Sequence, residues 1–255
     1  MKRAAAAMER LDGSLDDRDA LVGNLRDLTR INRWLGGRHL SARAIDALLA
    51  TDRRAARRAA DGPTVAILDV GTGGADIPLA LLARDRARGR STRIVGLDSR
   101  PEILAAAIVA DPRAGTTPGL ALELGDGRSL PYPDASFDIA HTSLVLHHLA
   151  PAEIDLLLRE MARVARRGIV VNDLARSRPA WVGAWLLGHL LTTNRFTRHD
   201  APMSVRRAYT LSEVVTMVQR AGMRVVHTER GFLGHRWAIA AEPATPPRVP
   251  ERRPS

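Results

Sequence analysis

The sequence predicts an α/β fold: a mostly parallel, seven-stranded sheet with helices on both faces and a helical extension at the N-terminus. Three observations predict it. Five short apolar runs alternate with segments of helical periodicity, the pattern of a parallel sheet with crossover helices. The first run, Val65-Ala66-Ile67-Leu68-Asp69-Val70, drops into Gly71-Thr72-Gly73-Gly74 and then a helical pattern near Ile77. That succession reads as a buried strand, a tight loop and a helix start, with backbone N–H groups free to meet a ligand. Two closing runs, residues 223–228 and 232–242, are joined by a short turn containing Gly231, which predicts an antiparallel pair.

In chain order, residues 1–18 are expected to be disordered. Residues 19–60 form a helical cap, with Leu21, Leu25, Leu28, Ile31, Leu35, Ile45, Leu48 and Leu49 at spacings of three and four. Gly36-Gly37 divides it into two helices. This cap is either a hairpin packed on the domain or a lid over a ligand, with Asn32, Arg33 and Trp34 near the hinge. Asp61-Gly62-Pro63 then opens the main domain, residues 61–242. Its second strand, Thr92 to Asp98, ends in an acid, and Pro101 starts the next helix. The third strand, Leu120 to Leu124, delivers Gly125-Asp126-Gly127, and the fourth ends at Ser143, with a helix expected from Leu144. Pro151 opens a helix that leads into the fifth strand, Gly168 to Asp173. Residues 174–210 form an insertion with an apolar helix over 181–191, and Thr210-Leu211-Ser212-Glu213 is a capping box. Proline and arginine dominate 243–255, an expected disordered tail.

The totals exclude several classes. A chain of 255 residues buries a sizeable core unaided. It has no cysteine, which removes disulfides, cysteine-ligated zinc, iron–sulfur clusters and a cysteine nucleophile. Glu9 and Arg10 cut the N-terminal apolar run short of a signal peptide. The longest apolar stretch, 180–191, is too short for a transmembrane span and contains His189. A cytoplasmic location is the expectation. The formal charge of +10 invites a nucleic-acid reading. Lys2 is the only lysine, however, and part of the excess sits in the runs 53–58 and 248–254. Charge of that kind reads as compositional, and no specific nucleic-acid partner is expected. The histidines have no second ligand at a persuasive spacing, so no metal is expected.

Two acids at consecutive strand ends, a Gly-x-Gly loop between them and a third acid after strand three resemble the class I S-adenosylmethionine-dependent methyltransferases, over residues 62–242. Leu68-Asp69-Val70-Gly71-Thr72-Gly73-Gly74 corresponds to that family's first motif, with Ala75 in place of its third glycine. Leu130-Pro131-Tyr132-Pro133-Asp134, Ser136-Phe137-Asp138 and Leu146-His147-His148-Leu149 resemble the branch containing the ubiquinone and menaquinone C-methyltransferases. Val171-Asn172-Asp173-Leu174 and Ser204-Val205-Arg206-Arg207-Ala208-Tyr209 resemble methyltransferases of bacterial phenolic and polyketide lipids, a secondary-metabolism setting. The resemblance implies a Rossmann-like fold, S-adenosylmethionine as cofactor and S-adenosylhomocysteine as product. It also implies a cofactor site of Asp69, Gly71, Thr72, Gly73, Asp98, Ser99, Asp126, Gly127 and Ser143. Asp98, at a strand end, suits both ribose hydroxyls. Asp69 suits the amino group of the methionine moiety; by the family pattern Asp126 accepts from the adenine amino group and Gly127 admits the base edge. A dinucleotide fingerprint from Gly71 needs glycine at position 76, where Asp76 repels a pyrophosphate.

Methyl transfer from a sulfonium is an in-line displacement, so alignment of the two reactants dominates. Ser143-Leu144-Val145-Leu146 lacks the Asn- or Asp-Pro-Pro-aromatic signature of enzymes that methylate base amines. The expected acceptor is small and hydrophobic, a phenol, quinol or polyketide-like ring methylated on oxygen or carbon; the apolar helix over 181–191 is core packing or one wall of its pocket. The alternatives are an RNA-modifying methyltransferase and a cofactor-binding module without turnover. Candidate catalytic residues are His147, one helical turn past Ser143; His199, in a loop with Arg198 and Asp200; and Tyr209, beside Arg206 and Arg207. Each of the three also has a plain reading, as a local hydrogen bond, a solvated side chain or core packing. His141, His148 and Asp200 are further candidates for the same proton.

Overall fold

The computed structural model describes residues 1–4, 7–51, 64–190 and 192–244. The Arg-rich run 53–58, the break at 61–63 and the tail beyond residue 244 lie outside them.

The strands are β1 (Val65–Val70), β2 (Thr92–Asp98), β3 (Leu120–Leu124), β4 (Phe137–Ser143), β5 (Ala165–Leu174), β6 (Met223–Arg230) and β7 (Arg236–Pro243). They form one sheet in the order β3-β2-β1-β4-β5-β7-β6. Neighbours from β3 through β5 are parallel, and β7 runs antiparallel to both β5 and β6. The order reverses between β1 and β4, where connections leave in opposite directions and open a crevice at the carboxyl ends of the strands. The helices are α1 (Arg18–Trp34), α2 (Gly37–Thr51), α3 (Asp76–Ala87), α4 (Pro101–Ala110), α5 (Arg113–Thr116), α6 (Pro151–Val164), α7 (Arg178–Leu190), α8 (Arg195–Arg207) and α9 (Leu211–Arg220).

Because successive side chains on a strand point to opposite faces, β1 feeds two cores at once. Leu68 packs with Ala140, Ile169 and Ile239 against Leu158 and Met161 of α6 and Val214 and Val218 of α9. Ile67 packs with Ile139, Val170 and Ala240 against Ile45 and Leu48 of α2 and Leu81 of α3. Burial on both faces is why the central strands read as continuous apolar runs. The second helix of the N-terminal cap is therefore core. The first, α1, joins a smaller cluster in which Leu21 and Leu25 meet Ala106 and Ala107 of α4 and Phe196 of α8.

Three local expectations are corrected. Residues 1–18 are not structureless, apart from Ala5 and Ala6, which are not described. They carry a 3-10 turn over Arg10–Asp12, and Glu9 and Leu15 are buried. The N–H groups of Arg10 and Leu11 donate to Asp200 at 2.8 and 3.2 Å. Docking through sparse polar contacts leaves no periodicity to read. No helix starts at Leu144: that residue adopts φ +59°, and a 3-10 turn over Leu146–His148 follows. A left-handed residue breaks the helical path. His199 and Asp200 lie within α8, N-capped by Asn194 through the N–H groups of Phe196 and Thr197, and not in a loop. The Thr210–Glu213 capping box forms as expected. Among the described residues, no helix is long and apolar enough to cross a membrane.

Since Ile45 is fully buried between α2 and the sheet, Ile45→Ala should cost about 2–5 kcal/mol in urea unfolding. A loss well below 1 kcal/mol would mark α2 as a detachable lid.

Candidate active site

The glycine loop is shaped by two left-handed residues and a close approach. Gly71 and Gly73 have φ of +72° and +52°. A Cβ on Gly71 would lie 2.3 Å from Val145 Cγ2, whereas beside Gly73 nothing lies within 4 Å. Gly71 is thus bare because the chain after β4 crosses over it, and Gly73 leaves its backbone open to the crevice. The N–H groups of Gly71 and Thr72 both donate to Leu97 O, at 2.8 and 2.9 Å. Ala75 also takes a left-handed conformation, at φ +54°. Its substitution for glycine is therefore a strained one, costing of order 1 kcal/mol.

Asp98 ends β2 beneath this loop and accepts from Gly73 N–H at 3.1 Å and Arg100 N–H at 3.2 Å. Burial nevertheless pushes its carboxyl above the usual range, outweighing those N–H groups. Asp69 ends β1 and accepts from Thr72 Oγ1 at 2.8 Å. Asp69, Gly71, Thr72, Gly73, Asp98, Ser99 and Ser143 all line one cavity of about 590 Å³. Open backbone and two buried carboxylates fit a polar ribose and a cationic amino acid portion of S-adenosylmethionine. Asp126 and Gly127 are not part of that lining. Arg128 grips the half-exposed Asp126 carboxylate at 2.8 Å and itself reaches the cavity. The hydrogen bonds from Arg128 hold Asp126 below the usual carboxylate range, more than offsetting its slight burial. Gly127 is tight for a packing reason, since a Cβ there would fall 2.4 Å from Val70 Cγ1.

A continuous buried polar chain braces this loop. Asp69 Oδ1 meets His141 Nδ1 at 2.5 Å, and His141 Nε2 meets Ser41 Oγ at 2.8 Å. Asn172 Nδ2 donates to Ser41 Oγ at 2.8 Å. Ser41 Oγ thus links the His141 ring to the Asn172 amide. Arg236, fully buried, donates through Nε to Asn172 Oδ1, through Nη1 to Asn32 Oδ1 and through Nη2 to Ser143 Oγ, at 2.7, 2.6 and 2.9 Å. Burial pushes its guanidinium down to about 10, against Asp173 and Asp76. Asn32 and Arg38 in turn donate to Asp76 at 3.1 and 2.9 Å. Asp76, which the sequence set against a pyrophosphate, is thus the far anchor of the loop.

A second cavity, about 300 Å³, adjoins the first. Leu28 and Ile31 of α1 and Leu35, which caps it, line this cavity with Ala180, Ala184 and Leu187 of α7. Leu11, Leu28, Leu144 and His148 line both cavities. His147 also lines the second, and its Nδ1 meets Asp173 Oδ1 at 2.7 Å. Burial alone raises Asp173, but its charge interaction and hydrogen bond with His147 bring it below the usual range. The other two catalytic candidates lie elsewhere. His199 is half-exposed, paired to Asp200, and reaches neither cavity. Tyr209 fills core: its hydroxyl donates to Leu149 O at 2.9 Å, under the Arg3 guanidinium. Glu9, Leu11, Asp12 and Arg236 were missed. The sequence offered only the isolated acids of an apparently featureless N-terminus, and an arginine inside a strand.

Residues 68–171 match the family described as the methyltransferase domain. An uncharacterized 37.1 kDa protein in transposon TN4556 of Streptomyces fradiae is 30% identical over 228 residues, covering 88% of this chain and 59% of that protein. A phosphatidylethanolamine N-methyltransferase of Cereibacter sphaeroides is 33% identical over 116 residues, 44% of this chain and 52% of its own. The chain thus spans between half and three-fifths of the length of the curated relatives it matches. Two solved structures share the fold. A chain of the complex between the Haloferax volcanii Trm112 methyltransferase activator and its methyltransferase has a TM-score of 0.59 at 18% identity, covering 90% of this chain and 99% of that one. Magnesium protoporphyrin IX methyltransferase from Synechocystis with bound S-adenosylhomocysteine has a TM-score of 0.51 at 16% identity, covering 78% and 84%.

A strand-end aspartate placed like Asp98 accepts two ribose hydroxyl protons well only when ionised. Since its carboxyl is raised by burial, S-adenosylmethionine affinity should fall as pH drops through that raised value and level off above it. Calorimetry at pH 5 and pH 8 reads this; equal affinities contradict it. Asp98→Asn should weaken binding at least about tenfold, by loss of charge-assisted hydrogen bonds, and Asp126→Asn should cost less.

Proposed function

We propose that this chain, a class I S-adenosylmethionine-dependent methyltransferase by fold and domain, methylates an oxygen or carbon of a small hydrophobic acceptor of the phenolic, quinol or polyketide-like kind. One observation carries the reading: an apolar cavity shares the wall of Leu144 and His148 with the donor cavity. Bound S-adenosylmethionine supplies a methyl group on a sulfonium, which any aligned electron-rich atom can take.

The residues divide the work. Asp98 holds the ribose and Asp69 the amino acid end, while Leu144 stands between donor and acceptor. The aliphatic walls from α1 and α7 exclude water and orient a flat, apolar ring; alignment of this sort contributes up to about 7–11 kcal/mol. Asp173 fixes His147 from behind at Nδ1, leaving Nε2 on the side of Glu9 as the nearest base for an acceptor hydroxyl. The outer face of α7 exposes Val182, Trp185, Leu186 and Leu190, and Phe232 and Leu233 stand exposed at the cavity wall. That apolar surround supports entry of a lipophilic acceptor. The basic charge lends no support to an RNA substrate: Arg84, Arg88 and Arg90 converge on Asp46, and Arg163 clamps Glu160 and Asp134.

Mass spectrometry of a cell extract incubated with isotopically labelled S-adenosylmethionine, with and without the protein, should show label in an apolar small molecule. Label in RNA alone would reject the reading. With that product as the assay, His147→Ala should lower kcat by about 10²–10⁴ while leaving donor affinity unchanged.

A further inference from the structure

Three ligating side chains converge beside the donor site from segments far apart in sequence. Glu9, before the N-terminal 3-10 turn, meets His147 and His148, after β4; one ligand atom from each lies within 4.8 Å of the others. His147 Nε2 is 4.0 Å from Glu9 Oε1, and His148 Nε2 is 3.9 Å from Glu9 Oε2.

Each ring is oriented from behind by a carboxylate. Asp173 holds Nδ1 of His147 and Asp12 holds Nδ1 of His148, both at 2.7 Å. This arrangement fixes the N–H on Nδ1, turns the Nε2 lone pair outward and strengthens it as a ligand. The Glu9 side chain is 1% exposed. Its Oε2 accepts from Ser204 Oγ at 2.7 Å, while its Oε1 accepts no hydrogen bond among the described residues. Arg207 Nη1 stands 3.4 Å from that oxygen and is also paired to Asp12. Burying a carboxylate oxygen without a hydrogen bond is costly, and buried charges are paired or coordinate metals.

We propose that Glu9, His147 and His148 bind a divalent transition-metal ion in the wall of the acceptor cavity, with its remaining coordination positions turned toward the acceptor. Two imidazole nitrogens and one carboxylate select a zinc- or iron(II)-like ion over magnesium or calcium, which favour oxygen ligands. Bonds of about 2.0–2.2 Å set such ligand atoms roughly 3.0–3.5 Å apart. The ligand atoms, which lie within 4.8 Å of one another, therefore close by roughly 0.5–1.5 Å on binding. Resting on the acceptor reading above, the ion takes over the part of the His147 lone pair. An acceptor hydroxyl bound to it loses its proton to solvent. The oxygen then bonds to the methyl carbon as the carbon–sulfur bond breaks, and that bond's electrons return to sulfur.

The test uses the full-length chain, stripped with chelator and dialysed against Zn²⁺, with Co²⁺ absorption as a second probe. One ion per chain is expected. Glu9→Gln and His148→Ala should each weaken binding by at least about 10-fold, and Asp12→Asn by about 10–100-fold through the outer contact. His189→Ala, on the exposed end of α7, should bind as the unaltered chain does. Melting by circular dichroism should be retained in all four variants, and calorimetric binding of S-adenosylmethionine in Glu9→Gln and His189→Ala, neither of which alters the donor cavity lining, which separates failure of the metal site from failure of the donor site. No bound ion, or the same affinity in Glu9→Gln and His148→Ala as in the unaltered chain, overturns the proposal.

Discussion

The arrangement depends on one buried hydrogen-bond chain, running from Asp69 through His141, Ser41, Asn172, Arg236 and Asn32 to Asp76. Its two ends are carboxylates on either side of the glycine loop, and its middle members come from α1, α2, β4, β5 and β7. Buried polar groups tolerate few geometries, because each partner left unmade costs the desolvation of a donor or acceptor. The chain therefore holds the loop, the sheet and the N-terminal helices in a single register. Arg236 occupies its centre, and no room is left around it: a Cβ on Gly37 would fall 2.3 Å from its Nη1.

That constraint answers what the N-terminal helices are. Ser41, Asn32 and Arg38 belong to the chain, and Ile45 belongs to the core, so the hairpin is built in. It also reaches the cavities, because Leu28 of α1 lines both. The N-terminal segment adds Leu11, which lines both as well.

The strands and the glycine loop were legible because they rest on local signals: apolar runs, strand-end acids and turn residues repeat within a few positions. Asp69, Gly71, Thr72, Gly73, Asp98, Ser99 and Ser143 come together for that reason, at the carboxyl ends of adjacent strands. Asp126 has the same local signature, yet its neighbour Arg128 captures it, a competition that spacing alone does not reveal. Tyr209 and His199 have the chemistry of a base, but Tyr209 packs under Arg3 and His199 lies on a helix where the sequence predicts a loop. The greatest gap was the N-terminus, where Glu9 and Asp12 reach partners more than a hundred residues away. No periodicity announces such contacts.

The central claim is that donor and acceptor occupy two cavities joined at Leu144 and His148. A crystal structure with S-adenosylhomocysteine tests it most directly. The account predicts the ribose hydroxyls within hydrogen-bond distance of Asp98 and the sulfur facing Leu144 and the apolar cavity. A ligand bound away from Asp98, or a sulfur turned from that cavity, would contradict it.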